Sequence, residues 1–250
     1  MEYTNTVNEI FRKNIVLHSI FRLYEFVVIL PLFGFYTFFI FVIIFIPIII
    51  FGNKFAHFSA MMWGKITVYI SFVRVKLLNR HTINKNQSYI IVANHQSNFD
   101  ILALYGWLPV DFRWVMKKEI RRVPIMGIFC EKAGHVFVNR KNSEEAVKSL
   151  KDAASKICNG TSILFFPEGT RNEGEYLMPF KKGAFKMALD LKLPILPVTI
   201  RGSKDIMAPN QIQVFPGKIE IVIHEPIEVL GHEDVDYLLN TTRDTIQSAL

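Results

Sequence analysis

The chain of 250 residues is half hydrophobic, with a mean hydropathy of +0.25, and carries a formal net charge of +7. That length allows one large core, or a smaller soluble domain plus a membrane element, and the apolar excess near the N-terminus favours the second. The basic charge comes without a compact Lys/Arg block, a zinc-finger spacing or an aromatic RNA-binding signature, so an anionic lipid surface is the expected partner and nucleic acid is not. Cys130 and Cys158 form no CxxC pattern, which argues against a disulfide framework and against a metal site.

Taken in chain order, the first feature is the uncharged run FVVILPLFGFYTFFIFVIIFIPIIIF, Phe26 to Phe51, longer than the roughly 20 residues of a spanning helix. It ends in Ile48, Ile49, Ile50 and Phe51, not in the small residues of a cleavage site, so it is expected to be retained. One tilted spanning helix and a hairpin bent at Pro31, Gly34 or Pro47 both fit it. Residues 53 to 80 mix Phe55, Phe58, Trp63, Tyr69 and Phe72 with Lys54, Lys65, Arg74, Lys76 and Arg80, as at a membrane interface. Residues 1–80 therefore read as a membrane-associated segment and 81–250 as a separate domain. The basic residues after the run place that domain on the cytoplasmic side, of a bacterial inner membrane in the simplest setting.

From Tyr89 onward, short runs rich in β-branched residues predict strands at Tyr89–Val92, Ser162–Phe166, Ile195–Ile200 and Ile219–Ile223. Between them, SEEAVKSLKDAASKICNG places Val147, Leu150, Ala154 and Ile157 on one helical face, with Asn142 or Ser143 as cap. Further helices are predicted at about 99–107, 182–192 and 234–248. Strand and helix in alternation predict an α/β domain with a mixed, largely parallel sheet flanked by helices.

Two strand ends carry polar chemistry. In ANHQSNFD, residues 93 to 100, His95 and Asp100 would diverge on one continuous helix, and they meet only if Gln96, Ser97 and Asn98 form a turn. A carboxylate on one imidazole nitrogen leaves the other free to take a proton, which makes a general base. The chain has no G-x-S-x-G nucleophile elbow, so the hydroxyl to be deprotonated belongs to a substrate. In ILFFPEGTRN, residues 163 to 172, Gly169 permits an unusual backbone angle and Arg171 offers a planar fork for a phosphate.

These stretches resemble the glycerolipid acyltransferases. NHQSNFD, with Asn94, His95 and Asp100, is similar to the family's H-x4-D motif, and FPEGTR is similar to its E-G-T-R motif. KKEIRRVPIMG, with Lys117, Pro124 and Gly127, GHVFVNR, with Arg140, and LPILPVTIRG, with Pro197, resemble the remaining blocks in order, although Asn139 stands where many relatives carry an acid. The resemblance, nearest to 1-acyl-sn-glycerol-3-phosphate acyltransferases, covers about 88 to 205. It implies acyl transfer from acyl-CoA or acyl carrier protein, as co-substrate, to the sn-2 hydroxyl of lysophosphatidic acid, with no other cofactor. His95 and Asp100 are then catalytic, while Arg171, Lys117, Glu168, Gly169 and Thr170 form the phosphate site, Glu168 fixing the Arg or the glycerol. Candidate oxyanion donors are backbone amides in the 95–100 turn or near Pro197. Another lysophospholipid or a lyso-ornithine lipid as acceptor, and a non-catalytic lipid-binding membrane protein, are the alternatives.

Overall fold

Seven strands make one sheet in the computed structural model, which describes residues 14–36, 38–39, 54–123, 126–154, 160–232 and 234–250. They are β1 (Val73–Leu78), β2 (Ile90–Ala93), β3 (Phe112–Lys117), β4 (Val136–Val138), β5 (Ser162–Phe165), β6 (Ile195–Arg201) and β7 (Gly217–Ile223). The order is β1-β7-β6-β2-β5-β3-β4, parallel throughout except for the antiparallel β6–β7 pair. The helices are α1 (Ile15–Tyr24), α2 (Lys54–Ile70), α3 (Phe99–Trp107), α4 (Met126–Lys132), α5 (Ser143–Ala154), α6 (Gly183–Leu191), α7 (Ser203–Ile206) and α8 (Val235–Gln247).

The strand period of two divides the core. Ile91 and Ala93 of β2 pack with Ala60 and Val68 of α2 and Phe99, Leu102 and Ala103 of α3 on one face of the sheet. Ile90 and Val92 pack on the other face with Ala184 and Phe185 of α6 and Leu238 and Ile246 of α8. Burial on both faces is why β2 and β5 read as continuous apolar runs. Asn142 caps α5, its Oδ1 accepting from the amides of Glu144 at 3.0 Å and Glu145 at 3.1 Å, and residues 155–159 of the predicted helix lie outside the described residues.

The sheet begins earlier than the sequence suggested. β1, VRVKLL, lies inside the stretch assigned to the membrane segment, yet it is the edge strand paired with β7. Its alternating charges point away from the core, and the same alternation mimics an interface segment. Likewise α2 is a domain helix, packed on α3 through the first core.

The apolar run after Phe39 lies outside the described residues. Before it, α1 continues through a π turn, Glu25–Ile29, to give one helix, Ile15–Tyr36, long and apolar enough to cross a membrane. Among the described residues, only one side of this helix is covered. Phe21, Glu25 and Ile29 are buried, while Ile15, Ile20, Leu23, Val27 and Phe35 face outward. The Tyr24 ring meets Phe72, tilted, with centroids 5.7 Å apart, and Phe33 meets Trp63 likewise at 6.0 Å, so the helix runs antiparallel to α2 and alongside the domain.

Candidate active site

In a parallel sheet, the loops leaving the carboxyl ends of neighbouring strands emerge on one edge. β2, β5, β3 and β4 are successive neighbours, so the segments after them gather His95, Glu168 to Arg171, Lys117 and Arg140 along one rim. Asn94 fixes the exit of β2: its buried amide donates to the Ile200 carbonyl at 2.8 Å and accepts from the Ile200 amide at 2.7 Å, tying the turn to β6.

The turn brings His95 and Asp100 together. His95 Nδ1 lies 2.8 Å from Asp100 Oδ2, and the same oxygen accepts from the amides of Gln96 and Ser97, each at 2.8 Å. An oxygen that already accepts two N–H bonds from the backbone is an acceptor toward the ring, so Nδ1 carries the proton and Nε2 the lone pair. Asp100 is fully buried, with Oδ1 lacking a hydrogen-bond partner among the described residues. The imidazole is 14% exposed and stacks on Phe166, with centroids 4.0 Å apart and planes 18° from parallel. Ser97 is no nucleophile for this base, because its hydroxyl donates to the Met207 carbonyl at 2.7 Å and accepts from the Phe99 amide at 3.1 Å.

The second loop turns at Gly169, whose φ of +75° is left-handed and where a Cβ would come within 2.8 Å of Lys181 Nζ. That turn sends Glu168 inward and Arg171 outward. Glu168 Oε1 accepts from the His95 amide at 3.0 Å, and Oε2 accepts from Asn172 Nδ2 at 2.9 Å and the Met178 amide at 3.0 Å. Burial raises the pKa of its carboxyl, and those hydrogen bonds together with the nearby His95 oppose the rise. The expectation that Glu168 fixes Arg171 is therefore corrected: among the described residues its bonds go to the protein frame around His95. Arg171 instead donates to Asn98 Oδ1 at 2.9 Å and Asn210 Oδ1 at 3.3 Å, both neutral, so its charge remains available to an anion.

The other expected residues divide by position. Arg140 donates to the Gly169 carbonyl from the end of β4, and burial lowers its pKa. Lys117 stands on the same rim but pairs with Glu119 at 3.6 Å in a half-exposed contact, and Thr170 is exposed. Gly127 is structural: a Cβ there would collide with the Arg121 carbonyl, so glycine lets α4 press on the Lys118–Arg122 turn. Pro197 lies within β6 just before its ladder with β7 begins at Val198, where a missing N–H breaks no bond on that side. Pro124 falls outside the described residues. Of the suggested oxyanion donors in the 95–100 turn, the amides of His95, Gln96, Ser97, Phe99 and Asp100 bond within the protein. Phe166, Asn172, Lys181 and Asn210 went unnoticed in the sequence, and only Phe166 and Asn172, flanking P-E-G-T-R, were close enough to a motif to be found.

A family model described as Acyltransferase matches residues 74–201. The 1-acyl-sn-glycerol-3-phosphate acyltransferase alpha of Ovis aries is 29% identical over 181 residues, which is 71% of this chain and 63% of that protein. An uncharacterised acyltransferase of Schizosaccharomyces pombe is 33% identical over 193 residues, covering 75% of this chain and 69% of that protein. The crystal structure of the 1-acyl-sn-glycerophosphate (LPA) acyltransferase PlsC from Thermotoga maritima is similar with a TM-score of 0.75 and 27% identity, covering 91% of this chain and 92% of that one. The chain thus spans a little under two thirds of the sheep enzyme and nearly all of the bacterial structure. With the H-x4-D and E-G-T-R loops on one rim of the same sheet, this chain belongs to the acyltransferase family.

Proposed function

We propose that the protein transfers a fatty acyl group from acyl-CoA or acyl carrier protein to the sn-2 hydroxyl of 1-acyl-sn-glycerol-3-phosphate, giving phosphatidic acid. The observation that carries this reading is a His–Asp pair with no nucleophile among the described residues bonded to it, on the same turn as the Asn98 that orients Arg171. His95 Nε2 takes the acceptor's hydroxyl proton as that oxygen bonds to the thioester carbonyl carbon. When the tetrahedral intermediate collapses, the C–S bond breaks and the imidazolium returns its proton to the thiolate. Asp100 holds the ring and offsets its transient charge, and general-base help of this kind is worth ~10²- to 10⁴-fold. Arg171 takes the acceptor phosphate, with Arg140 and Lys117 adding positive potential along the rim. The thioester is a co-substrate, and this chemistry needs no metal or organic cofactor.

The outward apolar side of the Ile15–Tyr36 helix supports a membrane seat, from which a two-chain product reaches the lipid without crossing water. The test is thiol release from acyl-CoA and from acyl carrier protein by purified protein in detergent. Acceptors are lysophosphatidic acid, lysophosphatidylcholine and a lyso-ornithine lipid, with products read by mass spectrometry. Release with lysophosphatidic acid, lost in His95→Ala and weakened through acceptor KM in Arg171→Ala, supports the reading. Preference for an acceptor without a phosphomonoester sinks the assignment of Arg171, and undiminished release by His95→Ala sinks the mechanism.

A further inference from the structure

Both backbone polar groups of His95 are held by the E-G-T-R loop and the residue that follows it. Its amide donates to Glu168 Oε1 at 3.0 Å, and its carbonyl accepts from the Asn172 amide at 2.7 Å. The ring closes through the Asn172 side chain, which donates to Glu168 Oε2 at 2.9 Å and to the Tyr176 carbonyl at 2.7 Å. Asn172 Oδ1 accepts from the Gly174 amide at 2.8 Å, so both donors and the acceptor of this amide are used. Glu168 is 4% exposed and Asn172 6%, and a fully satisfied buried network is one that can specify a single geometry.

We infer that Asn172 is a positioning residue for the base: together with Glu168 it forms a two-point clamp on the His95 backbone that sets where the imidazole stands. The inference rests on the reading of His95 as the general base. Asp100 and Phe166 fix the ring's rotation, but they leave the position of its Cα open, and Asn94 anchors only the residue before it. The clamp supplies the missing constraint from β5, the strand that also delivers Arg171, and so links the base to the acceptor-phosphate side of the site. A misplacement on the scale of an ångström costs about 10²-fold in rate without weakening substrate binding. A carboxamide at 172 is needed in place of a carboxylate, because its partner Glu168 is an acceptor.

The variant Asn172→Asp tests this. It keeps the shape and the bond from the Gly174 amide, removes the donation to Glu168, and sets two carboxylates against each other. The expected result is a kcat lowered about 10²-fold, with KM for lysophosphatidic acid and for the thioester within about threefold of the parent, and faster hydrogen exchange at the His95 amide. Adding Glu168→Gln, which removes one of the two opposed charges, is expected to restore part of both kcat and protection, a non-additive pair. Unchanged kcat and unchanged protection would overturn the clamp, as would a loss carried by KM or a double variant no better than the single one. If instead the parent releases no thiol, the acyl-transfer reading fails, and protection of the His95 amide still decides whether the clamp exists.

Discussion

Asp100 shows how one atom's partners decide what a substitution does. An amide at this position would be expected to present its NH₂ to the ring and invert the tautomer, a loss of ~10⁴-fold in other triads. Here the Gln96 and Ser97 amides both donate to Oδ2, the oxygen that also holds His95, so they select the carbonyl oxygen of an asparagine for that place. Asp100→Asn should therefore keep the tautomer and lose only the negative charge, lowering kcat on the order of 10²-fold with KM little changed; a loss nearer 10⁴-fold would mean the amide had flipped. A second histidine makes the opposite use of burial. His135 Nδ1 accepts from the Trp114 amide at 3.2 Å, which leaves the proton on Nε2, 3.0 Å from the Tyr105 hydroxyl. Burial first, and Arg113 second, push its pKa down from 6.5 to about 3. Because the folded value lies below the unfolded one, the unfolded chain takes up the proton first. The contribution is whole above pH 6.5 and is lost as pH falls toward about 3. By pH 5 the loss is about 2 kcal/mol, and denaturant melts of the parent and His135→Gln should show the variant with the shallower decline between pH 7 and 5.

Elements were legible where local chemistry alone decides them. The strands β2, β5, β6 and β7 and the helices α3, α5, α6 and α8 follow from period, caps and turn residues, and the H-x4-D and E-G-T-R pairs followed from their place at strand ends. β1, β3 and β4 did not: β1, at an edge, carries polar residues, β3 buries a charged one, Arg113, and β4, of three residues, carries no period. The inward turn of Glu168 and the seat of α1 were hidden for a different reason: their partners are far away in sequence. Glu25, the acid at the start of the π turn, accepts from the Val214 amide at 2.9 Å and pairs with Arg22 at 2.6 Å, while His18 Nε2 meets Gln213 Nε2 at 2.8 Å. A buried carboxylate at the edge of an apolar run thus pins α1 to the segment before β7. Glu25→Ala leaves the Val214 amide unpaired, a cost of about 1–3 kcal/mol. Faster hydrogen exchange at Val214 is the expected sign, with Glu25→Gln, which keeps an acceptor, close to the parent. Unaltered exchange in the alanine variant would show that the latch does not hold the helix.

For the molecule as a whole, the question is how a helix of 22 residues, about 33 Å long, meets a bilayer whose hydrocarbon core is ~30 Å. Length alone allows it to span. Its contacts argue otherwise, since Tyr24 meets Phe72, Phe33 meets Trp63, and α2 is itself packed in the core with α3. A perpendicular crossing would carry α2 and the Val214 segment into hydrocarbon, where the exposed charges of β1 and of the Arg80–Thr82 turn would have to lose their water. Lying along the interface instead puts Ile20, Leu23 and Val27 into the lipid and keeps the polar contacts of His18, Arg22 and Glu25 against the protein. The two arrangements differ in where the start of the helix lies. In a background with Cys130 and Cys158 replaced by serine, a cysteine introduced at Asn14 and another at Asn142 should behave alike in intact cells. Neither should react with a membrane-impermeant thiol reagent until the membrane is permeabilised, because the basic residues after the run favour the cytoplasmic side. Labelling at Asn14 alone would establish a spanning helix, and labelling at both would reverse the orientation. Detachment from lipid vesicles separates the forces: with a net charge of +7, a purely electrostatic seat would be lost in high salt, whereas the apolar seat should survive salt and yield to Leu23→Glu with Val27→Glu.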